Sequence, residues 1–187
     1  MADRSTLPQS RTEPIFVGIA GRTGTGKTSA ARYLAHKYGF QYTRYSQVLA
    51  DWASVSDADR DRLQRLGWEV MAGGVQAELN ARLIAGIDRA KSAVIDGLRH
   101  LVDFQSLSSI FGGSFEMIFL EARQEQRFER QKARFSDKAA FDAADSHPVE
   151  ANIDDLRSRA NIAILNDDSQ EHLYEQLDAW IASGDRR

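Results

Sequence analysis

Short apolar runs alternate with longer amphipathic stretches along most of this chain. Five runs have the length and composition of buried strands, at residues 15–19, 40–44, 93–95, 115–120 and 162–165. Helical spacing of apolar positions lies between them, at about 27–37, 46–91, 102–110, 124–134, 149–160 and from 168 onward. Strands that alternate with helices are typical of a parallel sheet with helices on both faces. The pattern therefore predicts an α/β fold built on a five-stranded parallel sheet.

The chain divides into a polar segment followed by one domain. Residues 1–14 include Pro8 and Pro14 but no apolar run, and they predict a disordered tail. No linker, repeat or low-complexity segment divides residues 15–187, and a total of 187 residues suits a single domain. Within this domain, the helical stretch 46–91 is predicted to break at the glycine pair 73–74.

Charge and cysteine content exclude several classes of function. The chain has 24 Lys and Arg against 27 Asp and Glu, a net charge of −3, which is not the basic excess of a nucleic-acid-binding protein. It has no cysteine, which excludes disulfides, cysteine-ligated zinc, iron–sulfur clusters and thiol catalysis. No apolar run is long enough to span a membrane, and the first residues lack the apolar stretch of a signal peptide. We therefore expect a cytoplasmic monomer or homodimer whose partner is a small molecule, not nucleic acid or a membrane.

A glycine-rich motif follows the first predicted strand and precedes the first predicted helix. Residues 21–28, Gly-Arg-Thr-Gly-Thr-Gly-Lys-Thr, fit the phosphate-loop pattern G-x-x-x-x-G-K-[ST] in full. Glycines let backbone N–H groups surround phosphate oxygens, while Lys27 reaches the β- and γ-phosphates and the Thr28 hydroxyl ligates Mg²⁺. The motif predicts that ATP and Mg²⁺ bind at Gly21, Arg22, Thr23, Gly24, Thr25, Gly26, Lys27, Thr28 and the adjoining Ser29.

The third predicted strand ends in a carboxylate. Asp96 follows residues 93–95 and precedes Gly97, which places it at the edge of the sheet where ligands bind in open α/β folds. There it is predicted to hold Mg²⁺ directly or through water, although a plain turn aspartate and a general base remain alternatives. Arg99, three residues on, is either a ligand of an acceptor phosphate or a solvated arginine, and the sequence leaves both open.

Three arginines recur along the helical stretch 124–134. Arg127, Arg130 and Arg134 have i, i+3, i+7 spacing, which predicts that they share one helix face. One guanidinium group can bind two phosphate oxygens at once, so such a face suits the transfer of a phosphoryl group. A solvated face paired with Glu125 and Glu129 is the alternative, and the phosphate loop favours the functional interpretation.

Together, the phosphate loop, the Asp96-Gly97-x-Arg99 element and the arginine helix resemble nucleoside monophosphate kinases. The chain more closely resembles the dephospho-coenzyme-A-kinase-like and deoxynucleoside-monophosphate-kinase-like P-loop kinases. The matching stretches lie between about 15 and 180, at 45–49, 63–67, 94–99, 127–130, 147–150 and 164–166.

The resemblance implies a P-loop kinase domain over residues 15–187, with an acceptor-binding helical insert at 46–91 and a mobile lid at 127–150. It also implies that Asn166 lies by the adenine of ATP. His147 and Glu150 fall in the implied lid, and their spacing assigns them no role.

Two departures from these families bear on the acceptor. The Asp and Arg usual in the first insert helix of nucleoside monophosphate kinases correspond to Gln47 and Ala50, so Arg44 or Arg99 would have to replace that arginine. The acid that activates a sugar hydroxyl in dephospho-coenzyme A kinases is absent from residues 41–46. Because a phosphate acceptor is already ionised, this absence favours a nucleoside or deoxynucleoside monophosphate.

The predicted function is therefore transfer of the γ-phosphoryl group of ATP to a nucleotide-like molecule. Lys27, Asp96, Arg130 and Arg134 are the predicted catalytic residues, Arg44, Arg99 and Arg127 the predicted acceptor ligands, and Thr28 and Asp96 the predicted metal ligands. Transfer to a sugar hydroxyl is one alternative. A P-loop ATPase that acts as a switch or binding module is the other, because a phosphate loop fixes the ligand and not the function.

Overall fold

The structure is a computed structural model that describes residues 13–56, 58–147, 150 and 152–183. The predicted tail at 1–14 lies outside these residues up to position 12. None of the described helices is long and apolar enough to cross a membrane.

A five-stranded, all-parallel sheet forms the centre of the fold. Its strands are β1 (Phe16–Ala20), β2 (Gln41–Arg44), β3 (Ala93–Leu98), β4 (Phe115–Glu121) and β5 (Ile162–Leu165), in the order β2-β3-β1-β4-β5. The central strand β1 is wholly buried. The chain therefore leaves the middle of the sheet at its carboxyl edge, where open α/β sheets bind their ligands.

Helices cover both faces of this sheet. They are α1 (Lys27–Tyr38), α2 (Tyr45–Ala53), α3 (Arg60–Ala72), α4 (Gln76–Ala85), α5 (Leu101–Phe111), α6 (Gln124–Gln131), α7 (Lys138–Asp145) and α8 (Gln170–Ser183). Successive residues of a strand point to opposite faces, so Val17 and Ile19 pack with α1 and α8, while Phe16 and Ala20 pack with α2 to α5. The predicted α/β architecture is confirmed.

The insert contains one more break than the sequence pattern predicts. Besides the break near Gly73, the chain leaves helix at Ser54, whose backbone adopts the left-handed conformation with φ of 54°. Asp59 then starts α3 by accepting a hydrogen bond from the backbone N–H of Arg62 at 3.1 Å. Short polar side chains compete for backbone hydrogen bonds in this way, which is why the long helical pattern divides here.

Two further helix predictions are wrong in extent. The arginine-rich helix α6 ends at Gln131 and not at 134, and the polar stretch after it contains the unpredicted helix α7. Of the helix predicted over 149–160, residue 150 is helical and Asp154–Arg159 forms a 3-10 segment, while positions 149 and 151 lie outside the described residues. Ile153 and Leu156 are both fully buried, and three residues per turn place such a pair on the same side.

Helix α8 provides a test of the packing. Leu177 on α8 is fully buried, whereas Leu165 at the end of β5 is 55% exposed. We expect Leu177→Ala to lower the free energy of unfolding by about 2–5 kcal/mol because it leaves a cavity, and Leu165→Ala to change it by less than about 0.5 kcal/mol. Urea denaturation measures both; equal losses in the two variants would contradict the placement of α8.

Candidate active site

The phosphate loop, residues 21–28, connects β1 to α1 in a conformation that needs glycine. Gly24 and Gly26 have φ of 85° and 96°. A Cβ at Gly24 would lie 2.7 Å from the backbone oxygen of Arg127, and one at Gly26 would lie 2.6 Å from the Asn166 side chain. The loop is therefore held against α6 and the loop after β5, with its backbone open to a ligand.

Hydrogen bonds within the loop fix its shape. Lys27 Nζ and Thr25 Oγ1 both donate to the backbone oxygen of Arg22, at 2.8 and 2.9 Å, and Asn166 Nδ2 donates to the backbone oxygen of Thr25 at 2.9 Å. These bonds engage the backbone carbonyl groups of Arg22 and Thr25. The N-terminus of α1, which carries a partial positive charge, follows directly at Lys27 and suits an anion.

Lys27 lies in a crowded electrostatic environment. Burial, and then the charge of Arg99, lower the pKa of Lys27 from its usual 10.5 to about 8, while Glu150 and Asp96 act in the opposite direction. An anion bound beside the ammonium group would favour its charged form. The site is therefore arranged to gain by binding a phosphate.

Asp96 lies where the sequence predicts a metal ligand. Its Oδ2 accepts hydrogen bonds from Thr28 Oγ1 at 2.8 Å and from Tyr42 OH at 2.9 Å, and the residue is 2% exposed. Burial, followed by the charge of Asp96, raises the pKa of Tyr42 to about 12, so its hydroxyl remains a donor. An alcohol oxygen and a carboxylate oxygen this close together are a donor set that fits Mg²⁺.

The described residues contain no group of three or more His, Cys, Asp or Glu side chains that would hold a metal ion alone. Mg²⁺ at Thr28 and Asp96 would therefore take its other ligands from water and substrate phosphates, as is usual for this ion.

Two cavities meet at the phosphate loop. The first, about 320 Å³, lies between the loop and the insert helices and is called the insert cavity. The second, about 410 Å³, lies between the loop, α6 and α8 and is called the outer cavity. Gly24, Lys27, Thr28 and Gln131 line both cavities, so Lys27 stands at their junction.

The insert cavity combines cationic, apolar and polar walls. Its cations besides Lys27 are Arg44, Arg99 and Arg134, and its apolar residues are Leu49, Leu63 and Leu79. Asp103 closes one end; it accepts hydrogen bonds from Gln76 Nε2 at 2.7 Å and from the backbone N–H groups of Arg99 and His100 at 3.0 Å each. This cavity suits a molecule with an anionic group near the loop and an uncharged remainder.

The outer cavity contains several of the predicted nucleotide-binding residues. Ser29, Arg130, Asn166 and Leu173 contribute to its wall. Arg130 donates to the backbone oxygens of Asn166 and Asp168, at 2.7 and 3.3 Å. These bonds hold the arginine over the side of the phosphate loop opposite the insert.

The three arginines of the predicted face point to three different places. Arg127 is buried in α6, donates from Nη2 to Asp145 Oδ2 at 2.8 Å, and lines neither cavity. Arg130 lines the outer cavity, and Arg134 lies beyond the end of α6 and lines the insert cavity. The predicted common face is wrong: α6 ends before Arg134, and within the helix Arg127 is buried against Asp145 while Arg130 is exposed. Arg127 has a structural partner in Asp145, and its role as an acceptor ligand stays a prediction.

Arg22 likewise has structural partners. Its side chain pairs with Asp154, where Nη2 and Oδ2 are 2.7 Å apart, and with Asp145 at 3.4 Å. Arg22, a predicted cofactor ligand, therefore contributes its backbone to the phosphate loop. Its side chain binds Asp145 at the end of α7 and Asp154 beyond it.

The segment predicted as a lid is packed against the site in this structure. Phe141 of α7 is 1% exposed and contacts the rings of Phe128 and Phe135. Arg134 Nη2 lies 3.2 Å from Gln64 Oε1 on α3, and the His147 ring lies 5.8 Å from that of Trp68. The segment therefore contacts helix α3 of the insert.

Sequence reasoning missed several site residues. Glu150 accepts hydrogen bonds from Thr23 and Arg99 within the insert cavity, Tyr42 binds Asp96, and Asp103 binds Gln76. In the sheet, Arg44 of β2 pairs with Asp96 of β3, and Tyr42 lies two residues before Arg44, on the same face of the strand. The alternation of side chains along β2 was therefore a signal that could have located Tyr42. Nothing in the spacing of Glu150 or Asp103 indicated their partners.

Comparisons with known proteins agree with the fold. The family model of the AAA domain matches residues 17–150, which include β1, the phosphate loop, the insert and the lid segment. Among solved structures, the chain is similar to a shikimate kinase from Acinetobacter baumannii in complex with shikimate, at 15% identity, a TM-score of 0.59 and coverage of 94% of this chain and 97% of the other.

Two other solved structures show a similar likeness. A gluconokinase from Sinorhizobium meliloti 1021 has 15% identity, a TM-score of 0.60 and coverage of 92% and 94%. TT1252 from Thermus thermophilus has 20% identity, a TM-score of 0.63 and coverage of 92% and 99%. At such identities the likeness shows the shared fold, and it confirms the predicted P-loop kinase architecture.

The two roles of the arginines lead to a test. We expect Arg127→Met to lower the free energy of unfolding by about 3 kcal/mol, since it leaves Asp145 buried with Arg22 as its remaining partner. Arg134→Met removes an exposed side chain and is expected to change stability by less than about 0.5 kcal/mol. Thermal and urea unfolding measure both variants. A stable Arg127→Met protein with impaired phosphoryl transfer would instead place Arg127 at the acceptor.

Proposed function

This chain belongs to the AAA domain family, and on that premise we propose that it is an ATP-dependent kinase acting on a nucleotide-like small molecule, most readily a nucleoside or deoxynucleoside monophosphate. The observation that carries the proposal is the junction of two cavities at Lys27. A phosphoryl group that passes between two bound molecules needs a donor site and an acceptor site on either side of one cationic centre.

The outer cavity is assigned to ATP and the insert cavity to the acceptor. Asn166 and Arg130 border the outer cavity behind the loop, which suits the nucleoside and phosphates of the donor. The insert cavity holds Arg44, Arg99 and Arg134, and guanidinium groups suit an acceptor that carries a phosphate. A switch ATPase would need only the first of these sites.

The carboxylates of the insert cavity favour an acceptor that is already ionised. Asp96, Asp103 and Glu150 each accept at least two hydrogen bonds from the protein, as described above. At Asp103 and Glu150 both carboxylate oxygens are engaged by protein donors, which leaves these groups poorly placed to take a proton from a substrate hydroxyl. A phosphate acceptor needs no general base, whereas a hydroxyl acceptor is helped by one.

Catalysis then follows from position and charge. Lys27 contacts the transferring group at the junction, and the backbone N–H groups of the loop hold the donor phosphates. Asp96 and Thr28 would hold Mg²⁺, which neutralises charge on the phosphates when it is bound. Arg130 acts from the donor side and Arg134 from the acceptor side, and the segment 127–150 excludes water from the reacting group.

A second candidate has its own support. Arginines that suit a phosphate also suit a carboxylate, so the insert cavity of about 320 Å³ is compatible with a small sugar acid as hydroxyl acceptor. Two of the similar structures are a shikimate kinase and a gluconokinase. In that case Asp96 would take the hydroxyl proton.

The decisive experiment is an acceptor screen. We expect ADP formation from Mg·ATP to rise when a ribonucleoside or deoxyribonucleoside monophosphate is added, because the cationic insert cavity binds its phosphate. Dephospho-coenzyme A, shikimate and gluconate belong in the same screen. Stimulation by one of these three would favour the hydroxyl acceptor, and ATP consumption that no acceptor stimulates would favour the switch.

Lys27→Ala is the control for the screen. It removes the cation at the junction and is expected to lower turnover by about 10²–10³-fold, a range typical of groups that stabilise developing charge. Thermal unfolding checks that the variant stays folded. Turnover close to that of the wild type would contradict the assignment of the loop.

Asp96→Asn tests the metal site. Asparagine keeps the shape but loses the charge, so we expect activity to need a higher Mg²⁺ concentration and to recover in part when Mg²⁺ is raised. Tyr42→Phe is the matched control, because it removes a donor to Asp96 and keeps the carboxylate. If Asp96→Asn binds Mg·ATP normally yet is inert at every Mg²⁺ concentration, Asp96 is a base and the hydroxyl acceptor is preferred.

A further inference from the structure

We propose that Glu150 is a positioning residue that holds the Arg99 guanidinium at the boundary between the phosphate loop and the insert cavity. The inference rests on the proposed function in one respect, because Arg99 is taken there to bind the anion of the acceptor. Its structural part, the restraint of one side chain by another, is independent of which acceptor is used.

The geometry gives Glu150 three donors. Arg99 Nη1 donates to Oε1, Thr23 Oγ1 donates to the same oxygen at 3.0 Å, and the backbone N–H of Thr23 donates to Oε2 at 2.9 Å. Glu150 is 2% exposed, whereas the Arg99 side chain is 33% exposed. The carboxylate is therefore shielded from solvent, whereas part of the guanidinium surface remains accessible. Both residues line the insert cavity.

The carboxylate stays charged throughout the working pH range. Burial pushes its pKa upward, but the charges of Arg99 and Lys27 and the hydrogen bonds from Arg99 and the Thr23 backbone outweigh burial and hold the pKa at about 2. Because Glu150 is buried, separating it from Arg99 would leave its charge with the Thr23 donors as its remaining hydrogen-bond partners, which is costly. A carboxylate in this state fixes its partner and does not take a proton from a substrate.

The Arg99 backbone is restrained separately. Its N–H donates to Asp103 Oδ2 at 3.0 Å, just before α5 begins at Leu101. A free arginine side chain loses rotamer entropy when it binds a ligand. Asp103 restrains the Arg99 backbone and Glu150 restrains its guanidinium. Part of this entropy is therefore lost before an acceptor binds, which is the effect of preorganisation.

A different role for Glu150 would be to hold the phosphate loop through Thr23 alone. Asp154 provides a matched control, because it also binds the loop, through Arg22, but is 57% exposed and lines neither cavity. Thr23→Val removes the hydroxyl donor and leaves the contact between Glu150 and Arg99 in place.

Nitrogen-15 relaxation of the arginine Nε–Hε groups measures the restraint directly in the full chain. Arg99→Lys assigns the Arg99 signal. We expect Glu150→Gln to lower the order parameter of Arg99 into the range of flexible groups, below about 0.6, and Asp154→Asn and Thr23→Val to leave it unchanged. Thermal unfolding checks that each variant is folded. An Arg99 signal equally rigid in Glu150→Gln and wild type would overturn the proposal.

Kinetics with the acceptor found in the screen give the functional arm. We expect Glu150→Gln to lower kcat/KM by about tenfold to a hundredfold, mainly through the KM of the acceptor, with the KM of ATP little changed. In an Arg99→Ala background the same substitution should have no further effect, since two residues that act through one contact are not additive. A full additional loss in that background would mean that Glu150 acts through the loop, and would overturn the proposal.

The two proposals fail in different ways. If no acceptor stimulates the wild-type protein, the proposed function fails, while the relaxation measurement still decides whether Glu150 restrains Arg99. If acceptors are phosphorylated and Arg99 is equally mobile with and without the Glu150 carboxylate, the positioning role alone is wrong.

Discussion

The structure depends on one electrostatic requirement: a site for phosphate must concentrate positive charge and still fold when no phosphate is bound. Lys27 and Arg99 lie close enough that the arginine lowers the pKa of the lysine. Buried carboxylates balance this charge: Glu150 pairs with Arg99, and the charges of Glu150 and Asp96 both favour the charged form of Lys27. Each carboxylate also engages an N–H or O–H group of the loop or a neighbouring strand, so charge balance and loop shape are maintained by the same contacts.

The same principle explains the segment that follows α6. Asp145 pairs with Arg127 and Arg22, and Asp154 pairs with Arg22, so acidic residues of this segment hold the part of the loop that faces away from both cavities. Arg127 also donates to the backbone oxygen of Thr23 at 3.3 Å. Helix α6, the end of α7 and Asp154 therefore bind the loop at Arg22 and Thr23. The rest of the loop, with Lys27 and Thr28, lines the two cavities.

Local pattern predicted the features that depend on neighbours in the chain. The phosphate loop, the strands and the carboxylate of Asp96 follow from contiguous residues, because a strand, a glycine turn and a helix start determine their own geometry. Helical spacing failed for Arg134, because spacing indicates a common face only where the helix continues, and α6 ends at Gln131. The insert break at Ser54 was missed because its polar residues also fit a helix exterior.

The role of Glu150 was beyond the reach of such patterns. It binds Thr23, which lies 127 residues earlier in the chain, and a contact of that range has no local signature. The same holds for Asp103, whose side chain reaches Gln76 across 27 residues. A residue that balances charge is recognised only when its partners are known, which is why the fold was predictable and half of the site was not.

The order of the strands has a consequence for how such a protein changes over evolutionary time. The phosphate loop, which lines both cavities, follows the central strand β1, whereas the insert cavity is also lined by Arg44 at the end of the edge strand β2 and by helices of the insert. Substitutions of exposed residues on the insert disturb few packed neighbours, while substitutions at β1 disturb both faces of the core. The lining of the insert cavity can therefore change while the phosphate loop and the centre of the sheet are retained, so one scaffold can serve unrelated small molecules.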